Sequence, residues 1–256
     1  MSETIETGEE LFWAAFGGHF AKVKDVCEAE GLDVNWRHPH TGYTPFNAAC
    51  HQGHMDIVLY LLSNPGVDVN VPNVQDCTPL YAAGQNGHLR VIEAILASDR
   101  TPDIAKRATV LDPNNYANTA AEWARKMNSF PKYGEVTTED YERNKLNGPA
   151  IADLLDDYER DPVAVKGRLF RLPHLRDPFI SRSFAIVVFY SDSFLRLGNT
   201  TPPNVRRFME ISSHLPLELQ MLLCNRMFGS EHDTISLKSS EPAFTWLAKQ
   251  CASMPE

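Results

Sequence analysis

No apolar run in this 256-residue sequence is longer than "FAIVVFY", residues 184 to 190. A membrane-crossing helix needs about 20 such residues, so no span is expected. The opening stretch "MSETIETGEE" has neither the basic nor the apolar region of a secretion signal, and residues 1–7 are expected to be disordered. Paired cysteines are missing as well. Five stand at 27, 50, 77, 224 and 251, odd in number, widely spaced and without C-x-x-C. That usage suits reduced thiols better than a disulfide framework and points to cytoplasm or nucleus. Positive charge is scarce: 24 Lys and Arg stand against 33 Asp and Glu, a net charge of −9. Nonspecific nucleic-acid binding needs a basic footprint, so nucleic acid is not expected as a partner. The sequence holds no Gly-rich phosphate loop, no G-x-S-x-G and no H-E-x-x-H. No cofactor and no small-molecule substrate is inferred. Hydrophobic residues make up 43% of the chain, enough for a real core.

A repeat is present. Thr44-Pro45 returns as Thr78-Pro79, and Gly53-His54 as Gly87-His88, each 34 residues later. Threonine followed by proline suits a helix start, because the hydroxyl oxygen caps a free N–H and proline fits the first turn. The small residues "NAAC" (47–50) and "YAAG" (81–84) let helices approach closely. Glycine before histidine supplies the left-handed turn that ends the helix. A second helix follows in each unit, with Ile57, Val58, Leu61 and Leu62, then Val91, Ile92, Ile95 and Leu96, at helical spacing. One such pair cannot bury its apolar face alone, so several must stack.

These residues resemble the ankyrin repeat, whose pattern is roughly G-x-T-P-L-H-x-A-A-x-x-G-H followed by an apolar helix. The match is specific at 42–70 and 76–104. In weaker form it extends to 10–35, which keeps Ala14-Ala15, Gly18-His19 and Asp33-Val34-Asn35 but has Glu9-Glu10 in place of Thr-Pro. It also reaches "NTAAEWARKMN" at 118–128, whose second helix is expected at 148–159. The resemblance implies an all-α solenoid of four repeats over 8–160 (8–40, 41–74, 75–113 and 114–160), the last carrying a charged insertion at 129–147. The family's usual histidine after Thr-Pro-Leu is Asn47 in one unit and Tyr81 in the next. That departure puts the inter-repeat hydrogen bond at this position in question.

Beyond residue 160 the repeat stops and the charge changes. Residues 1–160 carry 13 basic and 24 acidic side chains, net −11, and 161–256 carry 11 and 9. The acidic half implies a partner with a basic surface. Segment 183–197 leans toward a buried helix. A second helix is expected from Pro203, with Val205, Phe208 and Ile211 on one face, a third over 216–228, and a short last one in "SEPAFTWLAKQCA". Residues 161–256 are thus expected to form a helical C-terminal domain. It resembles the C-terminal extension of some uncharacterised ankyrin-repeat proteins, a likeness that carries no activity.

Three chemical readings compete with a plain scaffold. Cys50-His51 pairs a nucleophile with a base in sequence, yet the repeat already assigns Cys50 to a buried position. His51-x-x-His54, with His38 and His40 nearby, only loosely resembles zinc-ligand spacing. Neither makes an enzyme or metal site, and none is expected. "LPLELQMLL", from Leu215, resembles the opening Leu-Pro-x-Glu-Leu of the F-box, a hook for a ubiquitin-ligase adaptor. The plainer reading is an amphipathic core helix.

The ankyrin resemblance implies contacts at the hairpin tips and the exposed ends of the first helices. By position these are His40, Thr41, Tyr43, Gln75 and Tyr116 at the tips, and Trp36 joins them as an aromatic beside a turn, which costs free energy unless it binds or packs. Phe16, His51, Gln52, Gln85, Asn86, Lys126 and Met127 stand at the helix ends. The expected function is non-catalytic protein–protein binding through this surface, by an adaptor of unidentified partner.

Overall fold

The computed structural model describes residues 2–29, 31–109, 118–127, 138–192, 203–227, and Phe244 and Leu247. Among them every regular element is a helix. The chain divides into two compact units, 1–166 and 167–256.

The first unit is a stack of helix pairs. Helices α1 (Ser2–Phe16) and α2 (Phe20–Cys27) form the first, α3 (Pro45–Gln52) and α4 (Met55–Ser63) the second, and α5 (Pro79–Gln85) and α6 (Leu89–Ala97) the third. A fourth follows in α7 (Ala120–Lys126) and α8 (Thr138–Arg160). First helices pack on first helices and second on second along the array. The start signals work as their chemistry requires. Thr44 Oγ1 accepts from Asn47 N–H at 3.1 Å, and Thr78 Oγ1 from Tyr81 N–H at 3.2 Å, each before a proline at the first turn. Thr119 and Glu122 close a reciprocal capping box on α7. Helix α1 includes residues 2–7, which the sequence suggested were disordered.

The core lies between the two layers of helices. Ile57, Val58, Leu61, Ile92, Ile95 and Leu96 are fully or almost fully buried, as are Ala48, Ala49, Ala82 and Ala83. Asn47 preserves the inter-repeat bond that the missing histidine put in question: its Nδ2 donates to Cys77 O at 3.2 Å. Tyr81 is buried and meets Trp123 of the next unit with ring centroids 6.1 Å apart.

The histidines of Gly53-His54 and Gly87-His88 each reach back one repeat. His54 Nε2 lies 3.1 Å from Phe16 O, and His88 Nε2 3.1 Å from His51 O. A carbonyl only accepts, so Nε2 carries the proton and donates. The array then changes its device. Unit four offers no histidine here, and Asn144 Nδ2 of α8 donates to Gln85 O at 3.3 Å. Arg143 Nε donates to Asn86 O and Asn147 Nδ2 to Gly87 O. The second half of the expected insertion is therefore helical: α8 begins at Thr138, well before the 148–159 segment read from sequence, and contains Pro149. Its apolar stripe through Ile151, Leu154 and Leu155 is buried. The polar first half is drawn into helix by the three side chains that satisfy carbonyls at the end of α5.

Helix α9 (Pro162–Leu169) spans the division between the units. The second unit holds α10 (Pro173–Ser191), α11 (Pro203–Ser213) and α12 (Leu217–Met227). Ile180, Phe184, Val187, Met209 and Cys224 form its core, with Phe208 and Phe244 packed against it. The stripe expected on α11 is displaced. Met209 and Ser212 are buried, whereas Val205 and Ile211 are exposed. The buried side is set by what α10 and α12 offer, and α11's own spacing did not reveal it. Apart from Phe244 and Leu247, the short last helix expected from sequence lies outside the described residues.

Candidate functional site

The hairpin tips between repeats are closed turns. In the first, His38 N–H donates to Tyr43 O and Gly42 N–H to His38 O, at 2.9 and 2.8 Å. Successive tips are tied by Val74 N–H to Thr41 O (3.0 Å) and Thr109 N–H to Gln75 O (2.8 Å). This ladder sets the tips in a row along one edge of the stack.

The tip of repeat two carries a cluster of rings. His38 stacks on Phe12 at 4.7 Å with planes 24° apart, and Trp13, Trp36 and His40 surround it. Trp36 is half-buried and lies over Gly8, where a Cβ would come within 2.5 Å of its ring. His40 is exposed, and Thr41 is half-buried with its hydroxyl 3.1 Å from His38 Nδ1. The rings of Tyr43 and His51 meet at 5.5 Å. Burial lowers the His51 pKa, favouring the neutral ring. Phe16 and Gln52 are half-buried and Gln75 is exposed.

The other positions are engaged or covered. Gln85 and Asn86 are half-buried, and their carbonyls accept from Asn144 and Arg143 of α8. The Asn86 side chain turns back to Ala82 O. Lys126 Nζ donates to Asn118 Oδ1 at 2.6 Å. Met127 corrects the expectation of an exposed helix end: it is only 7% exposed and packs beside Gly148 of α8. Tyr116 lies outside the described residues. Trp13 was missed. It precedes Ala14-Ala15 where Ala48 and Ala82 stand in the next two repeats, and it is 50% exposed while they are buried. A tryptophan in a place where sister repeats carry alanine was the available signal.

Three of the described thiols, Cys50, Cys77 and Cys224, are held in the neutral form. Cys50 is fully buried and its pKa is pushed well up by desolvation. Desolvation, reinforced by Asp76, raises Cys77 to about 12, and burial raises Cys224 to about 11. Tyr60 rises to about 12 by desolvation, with smaller contributions from Cys27 and Glu28. These groups fold as neutral acids. The unfolded chain loses their protons first, from about pH 9 upward, and binds fewer protons than the folded one, so stability falls as pH rises. The urea midpoint is expected to drop between about pH 8 and pH 11. At neutral pH iodoacetamide should modify the partly exposed Cys27 well before Cys50, Cys77 or Cys224.

Residues 11–108 match the family model described as ankyrin repeats, in three copies. Among similar proteins, alpha-latrocrustotoxin-Lt1a of Latrodectus tredecimguttatus is 37% identical over 75 residues, which is 29% of this chain and 5% of that protein. The E3 ubiquitin-protein ligase XBAT33 of Arabidopsis thaliana is 28% identical over 155 residues, 56% of this chain and 25% of that one. SMC5-SMC6 complex localization factor protein 1 of Bos taurus is 30% identical over 88 residues, 34% of this chain and 8% of that protein. The chain thus spans a quarter or less of the length of these relatives. No helix among the described residues is long and apolar enough to cross a membrane. The caps on α3 and α5 and the bridges from His54 and His88 all fall within the stretch that this model matches, residues 11–108, which resembles three ankyrin repeats.

Proposed function

We propose that this protein is a non-catalytic adaptor that binds a protein partner along the row of hairpin tips and first-helix ends. Ankyrin repeats are in general protein–protein interaction modules, which supports the reading at family level. The observation that carries it is the ring-and-amide surface of repeat two: exposed His40 and half-buried Tyr43 on a tip that hydrogen bonds set in register, with half-buried Gln52 at the end of α3. Aromatic groups on a rigid frame lose little entropy on binding, which is why such residues dominate interfaces. Purification from native cells with the intact chain, set beside a His40→Ala, Tyr43→Ala, Gln52→Ala variant, tests it. A partner held by the first and lost by the second is expected. Identical partners for both would move the interface elsewhere.

A second reading has its own observation. Of the hook residues Leu215, Pro216 and Leu217, the first is half-buried and the other two are exposed, as is Leu219, while Gln220 and Cys224 hold the buried side of α12. An F-box-like hook needs its leucines outward. The similarity to a protein named as a ubiquitin ligase agrees with that role. Loss of a ligase adaptor from Leu217→Ala, Leu219→Ala material would favour this reading, and absence of any such adaptor would remove it.

A further inference from the structure

Resting on the protein-binding reading, we propose that Trp13 is an arginine-binding platform: its indole takes a guanidinium from the partner segment, with Glu9 as the counter-charge. Trp13 is half exposed, although Phe12, Phe16 and His38 all meet its ring, at centroid distances of 5.0, 6.0 and 5.7 Å and interplanar angles of 73°, 81° and 82°. Three rings standing across it hold its plane before any partner arrives. A pre-oriented, solvent-facing indole is the best aromatic acceptor for a cation, and arginine is the commonest donor.

The neighbouring charges favour the same occupant. Glu9 lies one helical turn before Trp13 and is exposed, with Oε1 3.4 Å from the indole Nε1–H. Glu10 is paired with Lys22 and is not available. Arg37 is the basic side chain of the adjacent hairpin. Its guanidinium is committed to the carbonyls of Gly42 and Pro72, at 3.3 and 2.8 Å, so it does not neutralise Glu9. The surrounding half of the chain, residues 1–160, carries a net charge of −11. A guanidinium is planar and weakly hydrated, so it lies on an indole at less cost than an ammonium and still reaches a carboxylate.

Isothermal titration of the full chain with a peptide of alternating glycine and arginine tests this, using the glycine–lysine, glycine–leucine and glycine–glutamate peptides for comparison. The arginine peptide is expected to bind, the lysine peptide more weakly, and the other two not at all. Trp13→Leu should weaken arginine-peptide binding about five-fold and Glu9→Gln about two-fold, while Trp13→Tyr keeps most of it. The tyrosine variant separates loss of the π-face from loss of the fold. Equal affinity of Trp13→Leu and the intact chain overturns the proposal, because bulk acidic charge would then account for binding. So does equal binding of the leucine peptide, or no binding by the arginine peptide. A cellular partner that depends on His40, Tyr43 and Gln52 but ignores Trp13→Leu would leave the protein-binding reading standing and remove this one alone.

Discussion

Gly53→Ala is expected to destabilise the first unit by about 2–4 kcal/mol, read as a fall in the urea midpoint. Gly53 ends α3 at φ +78, where a side chain costs about 1 kcal/mol. The larger cost is outside its own backbone. A Cβ there would lie 2.4 Å from Nδ1 of His88. The ring would have to leave, and the part-buried His51 carbonyl it serves would lose its donor, at a cost of about 1–3 kcal/mol. One methyl group would thus break the bridge between repeats two and three. Gly167→Ala is the contrast. It stands in α9 with nothing within 4 Å of a new Cβ, so alanine should stabilise the helix by up to about 1 kcal/mol. If the two substitutions behaved alike, the packing of His88 on Gly53 would not be what requires glycine there.

Ile92→Ala is expected to cost about 3–4 kcal/mol, and Ile92→Val about 1 kcal/mol. Ile92 is fully buried in α6, and its Cδ1 lies 3.6 Å from where a Cβ on Gly84 would stand. It packs between the small-residue face of α5 and the core of its own layer. Truncation leaves a void in a close-packed core that relaxes only in part. Leu146→Ala provides the baseline: Leu146 is 79% exposed on α8 and should change stability by less than about 0.5 kcal/mol. Equal midpoints for Ile92→Ala and Leu146→Ala would contradict this assignment of the core.

Much of the first unit was legible because its determinants are local. Thr44 and Thr78 cap the residues three positions on. Gly53 ends a helix by its own backbone, and Ile57 to Leu62 or Val91 to Leu96 show their buried face by spacing alone. The candidate surface was less legible. Tyr43 and His40 could be placed at a tip from the repeat pattern, but Met127 could not be seen as buried, because what covers it comes from around Gly148, beyond the intervening segment. Trp13 lies outside the two positions before Gly-His that the repeat assigns to contacts, and its place is marked only by the alanines of both sister repeats.

By itself the sequence determined the identity of the repeats, their helix boundaries over 41–97, the acidic balance and the positions of the tips. These depend on contacts a few residues apart or on a period the chain repeats. Tertiary structure alone decided that Asn144 replaces a histidine, that Asn47 and Cys77 maintain the inter-repeat bond, and that Val205 and Ile211 of α11 face outward. The physical reason is range: capping and periodicity act within one or two turns. Which side chain satisfies a distant carbonyl, and which apolar group meets solvent, is settled only when separate segments compete for the same neighbours.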